Sequence, residues 1–293
     1  MLKKILVPLD GSDVSESALG SAIEFARQHQ SEVLLLQVVD HYANLAPGLP
    51  PELGLEIEGK ARVEAKNYLE SCASRIDPSR VSTQVSTGIA RDEIVRIAEA
   101  ENCGLIIFSS HGRDGVSRWL LGSVAEGVLR RASCPVLLVR GGLEPQASFR
   151  HILVPVDGSE ASLSVLERLP ALVATGGKVS LLQSSGVSLY PNFAHKSNLV
   201  ADYLNQVEAD LRAIRMVGLV IEPVVLDGNP VDDILTWSST NGCDLIAMSS
   251  HGRSGFQRFW LGSVSEKVAR HATCSTLIFP PGSCAKGVAP RPF

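Results

Sequence analysis

The segment KILVPLDGSDVSESAL near the start of the chain returns as HILVPVDGSEASLSVL, so that Asp10 matches Asp157 at an offset of 157 − 10 = 147. Further on, RDEIVRIAEAENCGLIIFSSHGR returns as VDDILTWSSTNGCDLIAMSSHGR, with His111 matching His251 at 251 − 111 = 140. A repeat of this reach means that one fold is built twice, and 293 residues suffice for two cores of ordinary domain size. The sequence predicts domains over 1–141 and 149–281, joined by RGGLEPQASF and followed by a tail over 282–293. The second copy is seven residues shorter between the two matched points, and the Pro/Gly texture of DHYANLAPGLPPELGLE assigns the loss to the segment after the second strand.

Within the first copy the runs KILVPL, EVLLLQVV, GLIIFSS and PVLLV are continuously apolar, as strands covered on both faces must be. The more polar VSTQVSTG reads as a fifth strand at an edge. Between them lie helical spacings: Leu19, Ala22, Ile23 and Ala26; Ile94, Ile97 and Ala98; Val124, Val128 and Ala132. Strands alternating with helices imply parallel pairing and right-handed crossovers, so the fold class is α/β, two tandem doubly wound sheets.

The net charge of −4 and a charged fraction of 20% offer no basic field for nucleic acid or an anionic membrane surface. In MLKKILVPLDGS an Asp-Gly turn arrives too early for a signal-peptide core, and no later apolar run approaches the length of a membrane span. Six cysteines, at 72, 103, 134, 243, 274 and 284, have neither C-x-x-C nor metal-ligand spacing, and Cys103 and Cys134, which recur as Cys243 and Cys274, read as small hydrophobes at strand entrances. A cytoplasmic protein without disulfides or a metal centre is expected.

In such a sheet ligands bind beyond the carboxyl ends of the strands, where the strand order reverses. After the first strand come Asp10 and Asp157, each with a glycine turn and hydroxyls entering a helix. They are either turn formers, with Ser12 or Ser15 as the helix cap, or acceptors for a ribose hydroxyl or a base amino group. After the fourth strand, SSHGRDGVSRWLLGSVAE and SSHGRSGFQRFWLGSVSE place Gly112 and Gly122, and Gly252 and Gly262, around arginine-bearing loops that enter helices. Glycine turns and a helix start offer backbone N–H groups to phosphate, with Arg113 and Arg253 as candidate ion-pair partners. The competing structural explanation is a pair of capping boxes, Ser123 with Glu126 and Ser263 with Glu266. Trp119 and Trp260 are offset by one position and suit packing or a subunit contact, and His111 and His251, which lack the partners of a catalytic triad, suit a backbone-shaping or phosphate-neighbour role. Neither a P-loop nor a G-x-G-x-x-G motif is present.

ILVPLDGS opening each copy and SSHGR…GSVAE or SSHGR…GSVSE closing it resemble the universal stress proteins in their tandem two-domain form. The resemblance implies a five-stranded parallel sheet of order 3-2-1-4-5 in each copy and a phosphate loop of pattern G-x-x-G-x9-G-[ST]. That pattern falls on Gly112, Gly122 and Ser123, and on Gly252, Gly262 and Ser263, with Ser109 and Ser249 at its first glycine, where a side chain either crowds the nucleotide or donates a hydroxyl. Flanking loop positions are Ser110, His111, Arg113 and Val124, and Ser250, His251, Arg253 and Val264. The adenine and ribose side maps to Pro8, Asp10, Val38 and Phe108, and to Pro155, Asp157 and Met248, with Ser184 in place of the valine.

The resemblance further implies ATP as ligand, with bridging Mg²⁺ left open, and an internal pseudo-dimer pairing PVLLV with STLIF, with a homodimer of chains left open. The expected function is a nucleotide-responsive stress regulator with an unidentified protein partner and at most slow hydrolysis. The alternatives are a scaffold that binds no nucleotide and an adenylating or nucleotide-hydrolysing enzyme.

Overall fold

The computed structural model describes residues 2–41, 50–77, 79–110, 121–184, 220–250 and 261–280. The chain divides into two units, residues 1–147 and 148–292. In the first, β1 (Lys4–Pro8), α1 (Asp13–His29), β2 (Glu32–Val39), α2 (Pro51–Ala73) and β3 (Val81–Thr87) precede α3 (Ala90–Ala100), β4 (Leu105–Ser110), α4 (Ser123–Leu129) and β5 (Val136–Arg140). The strands pair in parallel in the order β3-β2-β1-β4-β5. Ile5, Leu6 and Val7 are all fully buried although successive side chains point to opposite faces, so both faces of β1 are covered.

The helices that cover the sheet differ in detail from the sequence spacings. α1 buries Ala18, Leu19, Ala22, Phe25 and Ala26, while Ile23 sits half-buried on the flank; the bulk of Phe25 selects the stripe that faces the sheet. In α4 the buried line is Ala125, Val128, Leu129 and Ala132, a spacing of i, i+3, i+4 and i+7, and Val124 lies beside it.

The second unit contains β6 (Phe149–Pro155), α5 (Glu160–Ser164), a 3-10 turn (Leu166–Ala171), β7 (Val173–Ser184), β8 (Val220–Leu226), α6 (Pro230–Thr240), β9 (Leu245–Ser249), α7 (Ser263–His271) and β10 (Ser275–Phe279). Its parallel order is β8-β7-β6-β9-β10, the same winding. The first crossover is cut short: where α1 runs for 17 residues, α5 runs for 5. Pro170 lies within the turn that follows, lacks an N–H and stops helical propagation. β7 then begins early and its register against β6 shifts between Val173 and Lys178; at Gly177 a Cβ would stand 2.7 Å from Val173 Cγ1 and 2.8 Å from Ala174 O. The registers locate the length difference between the copies. Pro8 pairs Leu36 as Pro155 pairs Leu182, an offset of 182 − 36 = 146, and Val38 pairs Ser86 as Ser184 pairs Leu226, an offset of 226 − 86 = 140. One residue is lost in the first crossover and six between the second and third strands.

Among the described residues no helix is long and apolar enough to cross a membrane. The five described cysteines are free thiols. Burial raises the Cys103 thiol to about 11 and the Cys134 and Cys243 thiols to about 12.

At the amino end of the sheet the copies differ in charge. Lys4 of unit 1 lies 2.7 Å from Glu101 and 3.8 Å from Glu32, and the Glu101 bond raises its pKa. The matching residue of unit 2 is His151. Its Nδ1 donates to Asn241 O at 3.1 Å, because a carbonyl only accepts, and its Nε2 lies 2.9 Å from Oγ of the fully buried Ser180. With Nδ1 as the donor, Nε2 of the neutral ring is an acceptor for the Ser180 hydroxyl, which also lies 3.4 Å from Glu222 Oε2. Burial pushes the His151 pKa down; the bond to Asn241 O, Asp244 and Glu222 oppose this and Lys178 adds to it, leaving the net shift downward. The folded ring thus holds fewer protons than the unfolded one just below the ordinary value of about 6.5, and stability rises with pH across that window. This contribution is complete above the unfolded pKa and is lost as pH falls below it. His29, lowered mainly by burial, acts in the same sense, so a paired comparison isolates His151. The urea midpoint of the full chain is expected to fall less between pH 7 and pH 5.5 in His151→Gln than in wild type; equal slopes would remove His151 from the account.

Candidate functional site

At the end of β1 the chain turns through Gly11 at φ +86°, a conformation that side-chain-bearing residues rarely adopt. Asp10 Oδ1 accepts the Ser12 N–H at 3.0 Å and the Ser12 hydroxyl at 2.6 Å. Ser12 is the N-cap of α1, its Oγ accepting the Ser15 N–H at 3.1 Å. Ser15, the other candidate cap, instead donates to Ser12 O and accepts from the Asp10 N–H. Unit 2 repeats the arrangement, with Gly158 at φ +80° and Asp157 Oδ1 accepting from Ser159 N at 3.0 Å and Ser159 Oγ at 2.6 Å. Partial burial pushes the Asp10 carboxyl up, but the hydrogen bonds from Ser12 and Ser15 outweigh it and hold the pKa below the ordinary carboxylate value. Asp10 is therefore an ionised acceptor at neutral pH, fixed at the strand end.

Because β1 pairs directly with β4, the turn after β1 and the loop after β4 leave the same edge of the sheet. Pro8 and Pro155 are half-buried at the strand ends, and Phe108 and Met248 are buried just before the loop. Ser109 does not stand alone: its Oγ lies 2.5 Å from Oγ of Ser17 on α1. Ser17 Oγ also lies 2.8 Å from Val14 O, so the pair ties the end of β4 to the first turns of α1. His111, Gly112, Arg113, Trp119, His251, Gly252, Arg253 and Trp260 lie outside the described residues, as does the side chain of Ser110.

The helix starts overturn the capping-box expectation. The N-caps are Gly122 and Gly262, whose carbonyls accept the Glu126 and Glu266 N–H groups at 2.9 Å. Ser123 and Ser263 are the first helical residues, exposed, and no serine side chain caps either helix. Glu126 and Glu266 point along their helices to Arg130 and Arg270 rather than back to the cap. A serine followed three residues later by glutamate has the same appearance whichever residue starts the helix, and here the helix starts one residue earlier, at a glycine of ordinary extended backbone. In unit 2 the loop is pinned at its base: Gly262 N–H donates to O of the buried Ser250 at 2.7 Å, and Ser265 Oγ donates to Ser249 O at 3.0 Å. Val124 and Val264 follow, half-buried.

The geometry is thus a fixed anionic acceptor after the first strand, beside a glycine-capped helix start after the fourth, in both units. The model of the universal stress protein family matches residues 1–140 and 148–280. The chain belongs to this family. A universal stress protein of Methanocaldococcus jannaschii is 37% identical over 145 residues, covering 48% of this chain and 83% of that one. One of Mycobacterium tuberculosis is 25% identical over 293 residues, covering 94% and 96%. Among solved structures, a universal stress protein of Archaeoglobus fulgidus matches with a TM-score of 0.72 at 23% identity, covering 94% and 98% of the two chains, which shows the same tandem fold.

Sequence reasoning passed over three partners in this universal stress protein: Ser17, Glu93 and Asp233. Ser17 carried a usable signal, since it recurs as Ser164 in the same place after the Asp-Gly turn. Ser12→Ala is expected to destabilise unit 1 by about 1 kcal/mol through loss of the cap. It should also raise the Asp10 pKa towards the ordinary carboxylate value, read by carboxyl-carbon NMR titration; an unmoved titration would mean that Ser12 does not hold the charge.

Proposed function

We propose that each unit of this universal stress protein binds an adenine nucleotide, ATP with or without Mg²⁺, between the turn after its first strand and the helix start after its fourth. The bound state is then read by a partner protein in a stress response. One observation carries the reading: the same carboxylate, Asp10 or Asp157, is held in the same hydrogen-bonded turn at the switch point of both sheets. Ser12 occupies Oδ1 of Asp10, and Oδ2 is the acceptor for a ribose hydroxyl. Pro8 and Val38, and Pro155 with Ser184, would flank the base, and Phe108 and Met248 would back it. Among the described residues nothing lies within 4 Å of where a Cβ at Gly122 would stand. The N–H groups that begin α4, together with the Ser123 hydroxyl, suit phosphate oxygens. Ser110, His111, Gly112 and Arg113, with their counterparts Ser250, His251, Gly252 and Arg253, complete the loop in the proposed site.

ATP, when bound, supplies charge and shape for a partner to read; the chain's own residues bind and orient it. In this reading the bound nucleotide is a signal that is turned over slowly at most.

Calorimetric titration of the full chain with ATP is expected to show binding. Asp10→Asn keeps the Oδ1 acceptor for Ser12 and replaces the ribose acceptor with a donor, so it should weaken binding at unit 1 by roughly 10- to 100-fold without altering the circular dichroism spectrum. No heat with ATP in wild type would overturn the nucleotide reading and leave a scaffold.

A further inference from the structure

The outer strands of the two units present different edges. In unit 1 the Val33 N–H donates to Arg80 O at 2.7 Å and the Gly88 N–H to Val39 O at 3.0 Å, so the even-numbered residues of β3 turn their backbone groups inward to β2. Val81, Thr83, Val85 and Thr87 turn theirs outward, and among the described residues nothing meets them. In unit 2, Ser184 pairs Leu226 as Val38 pairs Ser86, so Pro223 of β8 stands where Thr83 stands in β3. Proline has no N–H to offer, which blunts that edge.

β3 is also tied down by the helices beside it. Arg62 of α2 donates to Thr87 Oγ1 at 3.0 Å. Glu93 of α3 accepts the Ser86 hydroxyl and is clamped by Arg96, with Nε at 3.0 Å and Nη2 at 2.8 Å. In unit 2 the carboxylate that matches Glu93 is Asp233 of α6, and it accepts the Ser184 hydroxyl at 2.6 Å, so the tie goes to the second strand rather than to the outer one. The open edge of unit 1 is therefore a fixed template. Its sequence, VSTQVST, holds neither a charge nor a proline, the devices that commonly keep an edge from pairing, and Ser82 and Thr83 near its middle are exposed.

We infer that β3 is the surface through which a second copy of this chain docks, by antiparallel pairing of the two β3 strands about a two-fold axis at Gln84. The strand itself selects this occupant, because its pattern is symmetric about that residue. The axis sets Thr83 opposite Val85 of the second copy and Val81 opposite Thr87 of the second copy. All four residues face outward, so each opposed pair exchanges two backbone hydrogen bonds. On one face of the joined strands every pair then sets a β-branched side chain against another; on the other face Ser82 meets Ser86 and Gln84 meets its own copy. No charge opposes a like charge within the paired strands. A two-fold contact uses the same patch on both subunits and so demands this self-complementarity, which an unrelated partner strand does not. The inference is independent of nucleotide binding.

The test is sedimentation equilibrium of the full chain over roughly 1–300 μM, the range suited to an interface at the small end of specific ones. Wild type is expected to dimerise reversibly. Thr83→Pro imports the residue of unit 2 at a position whose N–H the folded chain does not use, and it should weaken dimerisation at least about 10-fold without altering the circular dichroism spectrum. Gln84→Lys and Gln84→Glu each place like charges against one another on the axis and should each be monomeric, whereas an equimolar mixture of the two should restore a dimer holding one chain of each, read by native mass spectrometry. The charge pair keeps the test alive if Thr83→Pro fails to fold. A monomeric wild type throughout the range overturns the inference, as does a dimer that none of these substitutions weakens. Loss of the dimer in both charge variants without rescue on mixing also overturns it, because Gln84 would then not lie on the axis.

Discussion

Parallel pairing of β1 with β2 on one side and β4 on the other is the constraint on which the rest depends. Ile5, Leu6 and Val7 are buried on both faces, so β1 and its counterpart β6 must be central, and central parallel strands require crossovers that return the chain to the same starting edge. Every strand then ends at the opposite edge. The Asp-Gly turn, the tip of the second strand and the start of the helix after β4 meet there because the winding reverses at β1. An acceptor and a glycine-capped helix start that are about a hundred residues apart in the chain become neighbours through hydrogen bonding of strands alone.

On this common backbone the copies have diverged at both ends of the sheet. At the amino end a charged lysine, Lys4, is replaced by His151, half-buried against Ser180 with its pKa lowered. At the carboxyl end the hydroxyl moves from Ser86 to Ser184 and the carboxylate moves with it. The backbone registers that hold these residues are the same in both units, so the divergence is one of side-chain polarity rather than of fold. The first crossover of unit 2, with its 5-residue α5 and the 3-10 turn that holds Pro170, is the exception.

Much of the fold was legible because the signals are local. Runs such as EVLLLQVV announce strands covered on both faces, and the mixed polarity of VSTQVST matches its place at the outer end of unit 1's order. Helix faces were less sharp: Ile23 fits the period as well as Phe25 does, and only packing against the sheet separates them. The capping boxes failed for a related reason, since Ser123 with Glu126 satisfies the pattern while Gly122 takes the cap. A glycine cap leaves no side-chain signature.

The sequence by itself determined that one α/β unit is built twice, where its strands run, and that an Asp-Gly turn and a glycine-flanked loop recur in matching places. Those are properties of neighbours along the chain, set by periodicity and turn chemistry. Only the tertiary structure decided that Ser17 meets Ser109 across 92 residues and that Ser184 meets Asp233 across 49. Such pairs follow from strand register and from the path of a loop over a strand end, where a shift of one residue would turn each hydroxyl to the other face.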